Sequence, residues 1–260
     1  NANSITADSV LIIRPEVAIY MDKTYPPIFK NKIGTYPHQK LLGAETNINI
    51  KGIRVQDARI SYTEKAAKSE REGTLDLSQV DMQISNATND PAAIAQNDTC
   101  TAKVTGTILG RSPIAVAFAF HLGDSTGKFE ARGAIKRVSA EALNRLATPL
   151  ANVEFESFNL KQLDFFISGS DYQAEGAVEM IYDRLFLKIL KPEEAGTTNK
   201  FLTKVLNKYT LHSSNPAPGE QLRRADVVHL RITSQAFFGV IWKTIFSGMQ
   251  KIMLRQGQVE

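Results

Sequence analysis

The stretch Gly123-Asp124-Ser125-Thr126-Gly127-Lys128 is the nearest thing in the sequence to a catalytic or phosphate-binding motif. A phosphate-binding loop needs GxxxxGK followed by Ser or Thr, so that loop amides and the lysine surround phosphates where a helix begins. Here the spacing is one residue short, Phe129 replaces the hydroxyl, and the residues that follow alternate as a strand. The segment reads as a hairpin turn. Its Gly-Asp-Ser triplet also echoes a class of serine esterase in which the serine sits on a strand-to-helix turn and a late Asp-x-x-His supplies the base. Asp226-Val227-Val228-His229 has that spacing but lies in an expected strand, so no nucleophile is assigned and the chain is read as non-enzymatic.

The remaining reactive residues are scattered. His38, His121, His212 and His229 are isolated, with no HExxH or adjacent carboxylate pairing, so no metal ligands are assigned and no cofactor is expected. Cys100 is the sole cysteine, which excludes an intramolecular disulfide and a multi-thiolate zinc site, and reads as a buried or loop thiol. The carboxylates show no spacing that nominates a glycosidase-like pair. Asn86-Ala87-Thr88 and Asn97-Asp98-Thr99 match the glycosylation triplet, which chance alone supplies often.

Composition sets the frame for the elements that would position any site. The 260 residues carry 31 Lys+Arg against 27 Asp+Glu, a formal charge of +4, with 43% hydrophobic residues. That is ordinary globular composition, long enough for one or two domains and a self-sufficient core. With no block of five like charges, a nucleic-acid partner is not expected. No uninterrupted apolar run reaches the roughly 18 residues of a bilayer span.

Period-two alternation dominates and predicts a mainly β chain: a long, twisted, bulged antiparallel sheet with helical decoration. Residues 1–44 read as an N-terminal strand, in pieces around Pro15, followed by an irregular segment; residues 45–260 read as one continuous β-rich domain. Between Asn47 and Tyr62 the apolar parity switches twice, which predicts a break at Gly52 and a tight turn at Gln56-Asp57 that makes a hairpin. A bulge is expected near Ser78-Gln79, and a loop over 86–98. Helices are predicted near 139–148, capped by Ser139 and stopped by Pro149, near 198–208, and near 234–254.

Two elements carry more apolar surface than a plain surface sheet needs. In the strand from Ile114 to Leu122 one face bears Ile114, Val116, Phe118, Phe120 and Leu122, while the other bears Ala115, Ala117 and Ala119. Such a strand is either covered on both faces or lines an apolar channel with its bulky face, and in the second case Phe129 and Ile135 of the following strand join it. The C-terminal helix has nine large apolar residues at spacings of three and four. That arc predicts Phe238, Trp242, Phe246 and Met249 against the sheet, with Phe237, Ile241 and Ile245 at a groove mouth or bilayer.

Several short signatures occur in order: Ile60-Ser61-Tyr62-Thr63-Glu64, then 73–84 with the polar Asn86 to Asn89 loop, Ile167-Ser168-Gly169, and the Tyr182-x-x-Leu185-x-Leu187-x-x-Leu190 pattern. Asn215-Pro216, Arg231, Phe237-Phe238, Trp242 and Gly248 complete them. Together they resemble the bacterial AsmA-like family, over roughly 45 to 254. The resemblance implies a periplasmic region tied to the inner membrane by an anchor outside this sequence, a twisted sheet forming an apolar groove, and phospholipid or another acyl-chain lipid as partner in outer-membrane maintenance. The residues themselves leave a second class open, a β-sandwich binding or adhesion module whose two sheets pack together without a groove.

Overall fold

The computed structural model describes residues 3–26, 28–191 and 196–255. Ten strands build one open sheet. From β3 (Asn47–Lys65) the chain runs through β4 (Glu72–Thr88), β5 (Thr99–Ile108), β6 (Ser112–His121), β7 (Phe129–Ser139), β8 (Val153–Gly169), β9 (Gln173–Ile189) and β10 (Arg224–Leu230). Each of these is antiparallel to the one before. The expected twisted, bulged sheet with helical decoration is what the chain adopts, with one difference at the N-terminal edge. There β1 (Ser4–Ile13) and β2 (Glu16–Asp22) lie parallel to β3 and add to the same sheet. A sandwich needs two facing sheets, and the described residues form one.

The predicted hairpin at Gln56-Asp57 is instead a bulge inside β3, which also passes through Gly52 without a break. A bulge and a turn leave the same mark on parity, because both insert an odd residue. Here both halves of the segment pair with one partner, β4, and Asp57 takes the bulge at φ 51°. The bulge expected near Ser78-Gln79 is present, with Gln79 at φ 51°.

The helices are α1 (Pro37–Leu42), α2 (Pro91–Gln96), α3 (Ala140–Ala151), α4 (Lys200–Val205) and α5 (Phe237–Met253). A helix thus stands inside the expected 86–98 loop, its first turn capped by the Asp90 carboxylate, which accepts from the Ala92 and Ala93 amides. Ser139 caps α3 as expected by accepting from the Ala142 amide. That helix continues past Pro149, since a proline in the last turn forfeits a single intrahelical bond. A π-helical turn, Leu206–Thr210, extends α4. This helical pair covers the half of β9 that β10 leaves unpaired. The Asn207 side chain donates to the Leu187 carbonyl at 2.6 Å and accepts its amide at 2.9 Å, while the Thr203 hydroxyl accepts the Ile189 amide at 3.0 Å. Side chains thus satisfy backbone groups that a free sheet edge would expose.

The sheet is not flat. Just after β2 the Lys23 amide bonds the Lys65 carbonyl at the end of β3, and nine residues later the Lys32 amide bonds the Thr233 carbonyl beyond β10. Nine residues reach at most about 31 Å, whereas seven strand steps alone cover about 34 Å on a flat sheet. Twist of roughly 20–25° per step turns these opposite ends toward the same side of the molecule. The connection then enters the core at Tyr36 and α1.

A candidate apolar groove

All five helices do not cover the sheet evenly, and the gap between them is the candidate site. At one flank α5 packs on β9 and β10, where a Cβ on Gly248 would lie 2.5 Å from the Val178 Cγ2. Only glycine allows that approach. Val240, Thr244 and Gly248 recur every fourth residue and are buried, so a row of compact side chains ending on Gly248 sets the contact line of α5. The assignment of helix faces made from the sequence is therefore reversed for all but Met249, which packs half-buried against the core: Phe237, Ile241 and Ile245 are buried at 6%, 7% and 6% exposure, and face neither solvent nor bilayer. Phe238, Trp242 and Phe246 are the exposed row, Trp242 by 53%, with the Trp242 and Phe246 rings stacked 5.7 Å apart. Lys251 fixes which flank this is, because its ammonium bonds the Asp226 carbonyl on the edge strand β10 at 2.9 Å. The aromatic row lies on the other side of the helix, away from that edge.

At one end the gap is closed by α3, which packs on β8 and reaches across to β4. There Leu150 lies against Gly73, and the Ser69 hydroxyl bonds the Pro149 carbonyl at 3.0 Å. At the other end Tyr36, His38 and Phe237 form an aromatic plug. Phe237 lies 5.6 Å from Phe120 and 4.9 Å from Phe129, and His38 stacks on Phe120 at 5.0 Å. Three of the predicted groove residues are consequently closed core: Phe120, Leu122 and Phe129, at 8%, 4% and 0% exposure. The plug that covers them comes from residues some eighty to ninety positions earlier in the chain and from Phe237 more than a hundred positions later, which no local pattern of the strand could announce.

Ile114, Val116, Phe118 and Ile135 stay half-buried between these closures, on the same face as the half-buried Met82, Ile84 and Val104 of neighbouring strands. The core itself is split along this floor: a small cluster of Val55, Ala58 and Val80 stands apart from the large cluster under α5. On the opposite face of β6, Ala115 is exposed and Ala117 pairs with Arg132, whose guanidinium sits 5.7 Å over the exposed Phe166 ring. The alanine face is thus wet, and the strand is not covered on both sides.

The residues first considered for chemistry hold structure. Asp124 accepts from the Thr126 amide and hydroxyl at 2.8 and 2.6 Å, which builds the turn containing Ser125. His229 and Asp226 sit on β10, and the His229 imidazole pairs with Gln235 at 2.9 Å. Burial pushes the Cys100 thiol up to about 11, which keeps it protonated and unreactive. Among the described residues no group of three His, Cys, Asp or Glu side chains is placed to hold a metal ion. No helix among them is long and apolar enough to cross a membrane.

The plug contains an unpaired titratable group. His38 is 2% exposed and neither ring nitrogen has a hydrogen-bond partner. Burial, aided by the neighbouring His121, lowers its pKa below the ordinary value near 6.5, against the opposing pull of Asp171, Asp124 and the Gly127 backbone. The folded state therefore prefers neutral His38, and the unfolded state binds more protons once the pH falls below about 6.5. The contribution is intact above that value and is lost on further acidification toward the folded pKa. Chemical unfolding at stepped pH should show wild-type stability dropping below about pH 6.5 more steeply than that of His38→Phe. Identical slopes would mean that the ring reaches water or a partner.

No protein-family model matches the chain, and no curated protein or solved structure is found to be similar to it.

Proposed function

We propose that this chain is a non-enzymatic envelope protein that binds or conducts phospholipid acyl chains along the apolar groove, in the manner the AsmA-like resemblance implies for a periplasmic protein serving the outer membrane. The observation that carries the reading is the half-buried aliphatic and aromatic floor on β6 and β7, which the helices leave uncovered; the exposed aromatic row on α5 is a second apolar surface without a partner among the described residues. Exposing these two surfaces to water is unfavourable by roughly 25 cal/mol per Å². An acyl chain that covered floor and row would remove the exposure without asking for a hydrogen bond.

Trp242 is the single tryptophan and stands on that exposed row, so it reports on occupancy of the row directly. Titration with a monomeric phospholipid brominated on its acyl chain should quench its emission and shift it to shorter wavelength. The same titration on Phe118→Asp should leave the emission unchanged. Quenching that survives a charge in the floor would place the ligand elsewhere, and absence of any response in the wild type would remove the groove reading.

A further inference from the structure

The helical cover on the free edge of β9 has a second face. Thr203, Leu206 and Asn207 turn inward, with Thr203 8% exposed. The opposite side is centred on Phe201, 75% exposed, and continues through Val205 to Tyr209, 46% exposed, at spacings of four residues. Leu202 adds a further 47% exposed side chain. Alongside this apolar row runs a basic one, Lys200, Lys204 and Lys208, again every fourth residue and all exposed. None of the three has an ion-pair partner among the described residues, and Lys208 instead lies 5.0 Å over the Tyr209 ring. Beside the helix a cleft of about 540 Å³ is rimmed by these three lysines, with Phe186, Glu156 and Lys188 among its lining residues; Lys188 is paired with Glu154 and Glu156, so the uncompensated charge is that of Lys200, Lys204 and Lys208.

This arrangement inverts the usual surface helix, whose aromatic residues point inward and whose lysines are spread through mixed charge. An aromatic side chain at the outermost point of a helix, next to uncompensated lysines, matches the interfacial region of a bilayer. There the rings enter the headgroup and acyl boundary while the ammonium groups meet lipid phosphates. A protein partner would need an acidic rim around a pocket for Phe201, whereas an anionic lipid surface supplies both through one repeating unit. We propose that the face formed by Lys200, Phe201, Lys204, Val205, Lys208 and Tyr209 docks the protein on the surface of an anionic phospholipid bilayer. This does not rest on the groove reading, since a chain with an empty groove would dock in the same way.

The test is vesicle flotation at low and high salt, with phosphatidylcholine alone and with phosphatidylcholine containing phosphatidylglycerol. Wild-type protein should bind the mixed vesicles and release them at high salt. Replacing all three lysines, as Lys200→Gln with Lys204→Gln and Lys208→Gln, should weaken partitioning on the order of 100-fold, from about 1 kcal/mol per lysine near an anionic surface. Phe201→Ser should weaken it on the order of tenfold. Both variants change exposed side chains and should unfold at the wild-type temperature, which is measured alongside. In a Trp242→Phe background, Phe201→Trp should be quenched by brominated lipid in mixed vesicles and unaffected by the monomeric brominated lipid that reads the groove. Equal binding to phosphatidylcholine alone, binding indifferent to the lysines, an unquenched residue 201, or no vesicle binding at all would each overturn the proposal.

Discussion

Arg231→Met should cost about 3–5 kcal/mol of stability in urea-induced unfolding, the range seen when one member of a buried ion pair is removed and the other remains. The Arg231 and Asp171 side chains are 0% and 4% exposed, with Nη1 to Oδ1 at 2.6 Å. Around this pair converge the parts of the fold that are furthest apart in sequence. The Arg231 guanidinium also donates to the Lys32 and Gln235 carbonyls at 2.6 and 2.9 Å and lies 4.3 Å over the Tyr36 ring. Asp171 accepts from the Gly34 amide and from Gln39 at 3.1 and 2.6 Å. The methionine would fill most of the volume while leaving a buried carboxylate with a diminished set of donors, which is the expensive state.

Adding Asp171→Leu to that variant should recover part of the loss, because the orphaned charge goes with it. Recovery of stability should not restore the connection from β2 to α1: Lys32 attaches through Arg231, and Gly34 and Gln39 attach through Asp171, so both variants should be cut first by limited proteolysis between residues 23 and 35, the double variant at least as readily. A loss under about 1 kcal/mol would mean that the pair is solvated in solution and that the plug is held by its aromatic contacts alone.

How much of this was readable from the sequence depends on the range of the interaction involved. The alternation that marks β4 to β10 is a local consequence of one wet and one covered sheet face, and it survives reading residue by residue. The bulge at Ser78-Gln79 was legible for the same reason. At Gln56-Asp57 the local signal is present but degenerate, because only the partner strand distinguishes a bulge from a turn, and that partner lies some twenty-five residues away in β4.

The C-terminal helix shows a different limit. Ranking its residues by size places Trp242 and Phe246 inside, yet closeness of approach is governed by compact side chains, and Gly248 under Val178 and Val227 decides the face. The row Val240, Thr244 and Gly248 was a usable signal that size alone conceals. No comparable signal existed for Phe120 and Phe129: what seals them, besides Phe237, is Tyr36 and His38, delivered by a connection whose course follows from the twist of the whole sheet. The docking row on the α4 turn was likewise invisible, since a lysine and an apolar residue every fourth position read as an ordinary helix until its inward face is known to be Thr203 and Asn207.

That distinction between floor and plug sets up the sharpest functional contrast available in this chain. Phe118→Asp and Phe129→Asp introduce the same carboxylate one strand apart on the same face of the sheet. Phe129 has 0% exposure and ring contacts with Tyr36 and Phe237 at 5.5 and 4.9 Å, so its carboxylate would be sealed without a cation to meet it. Burial of that kind costs several kcal/mol, a large share of the roughly 5–15 kcal/mol that holds a domain together, and the variant should lose its cooperative unfolding transition. Phe118 also touches Phe120 and Phe237, at 5.8 and 6.0 Å, but its outer side remains open to the groove. A carboxylate there can keep its water, so the variant should stay folded with a loss of about 1–3 kcal/mol. Its effect falls on the ligand instead: an acyl chain would have to strip that water, and uptake of a fluorescent fatty-acyl probe should fall below detection. Ile135→Asp, on the neighbouring strand, should repeat the pattern of Phe118→Asp. If both floor variants unfold as Phe129→Asp does, the floor is closed core and the half-burial of β6 has nothing to do with a ligand; if both fold and still take up the probe, the acyl chain does not lie on β6.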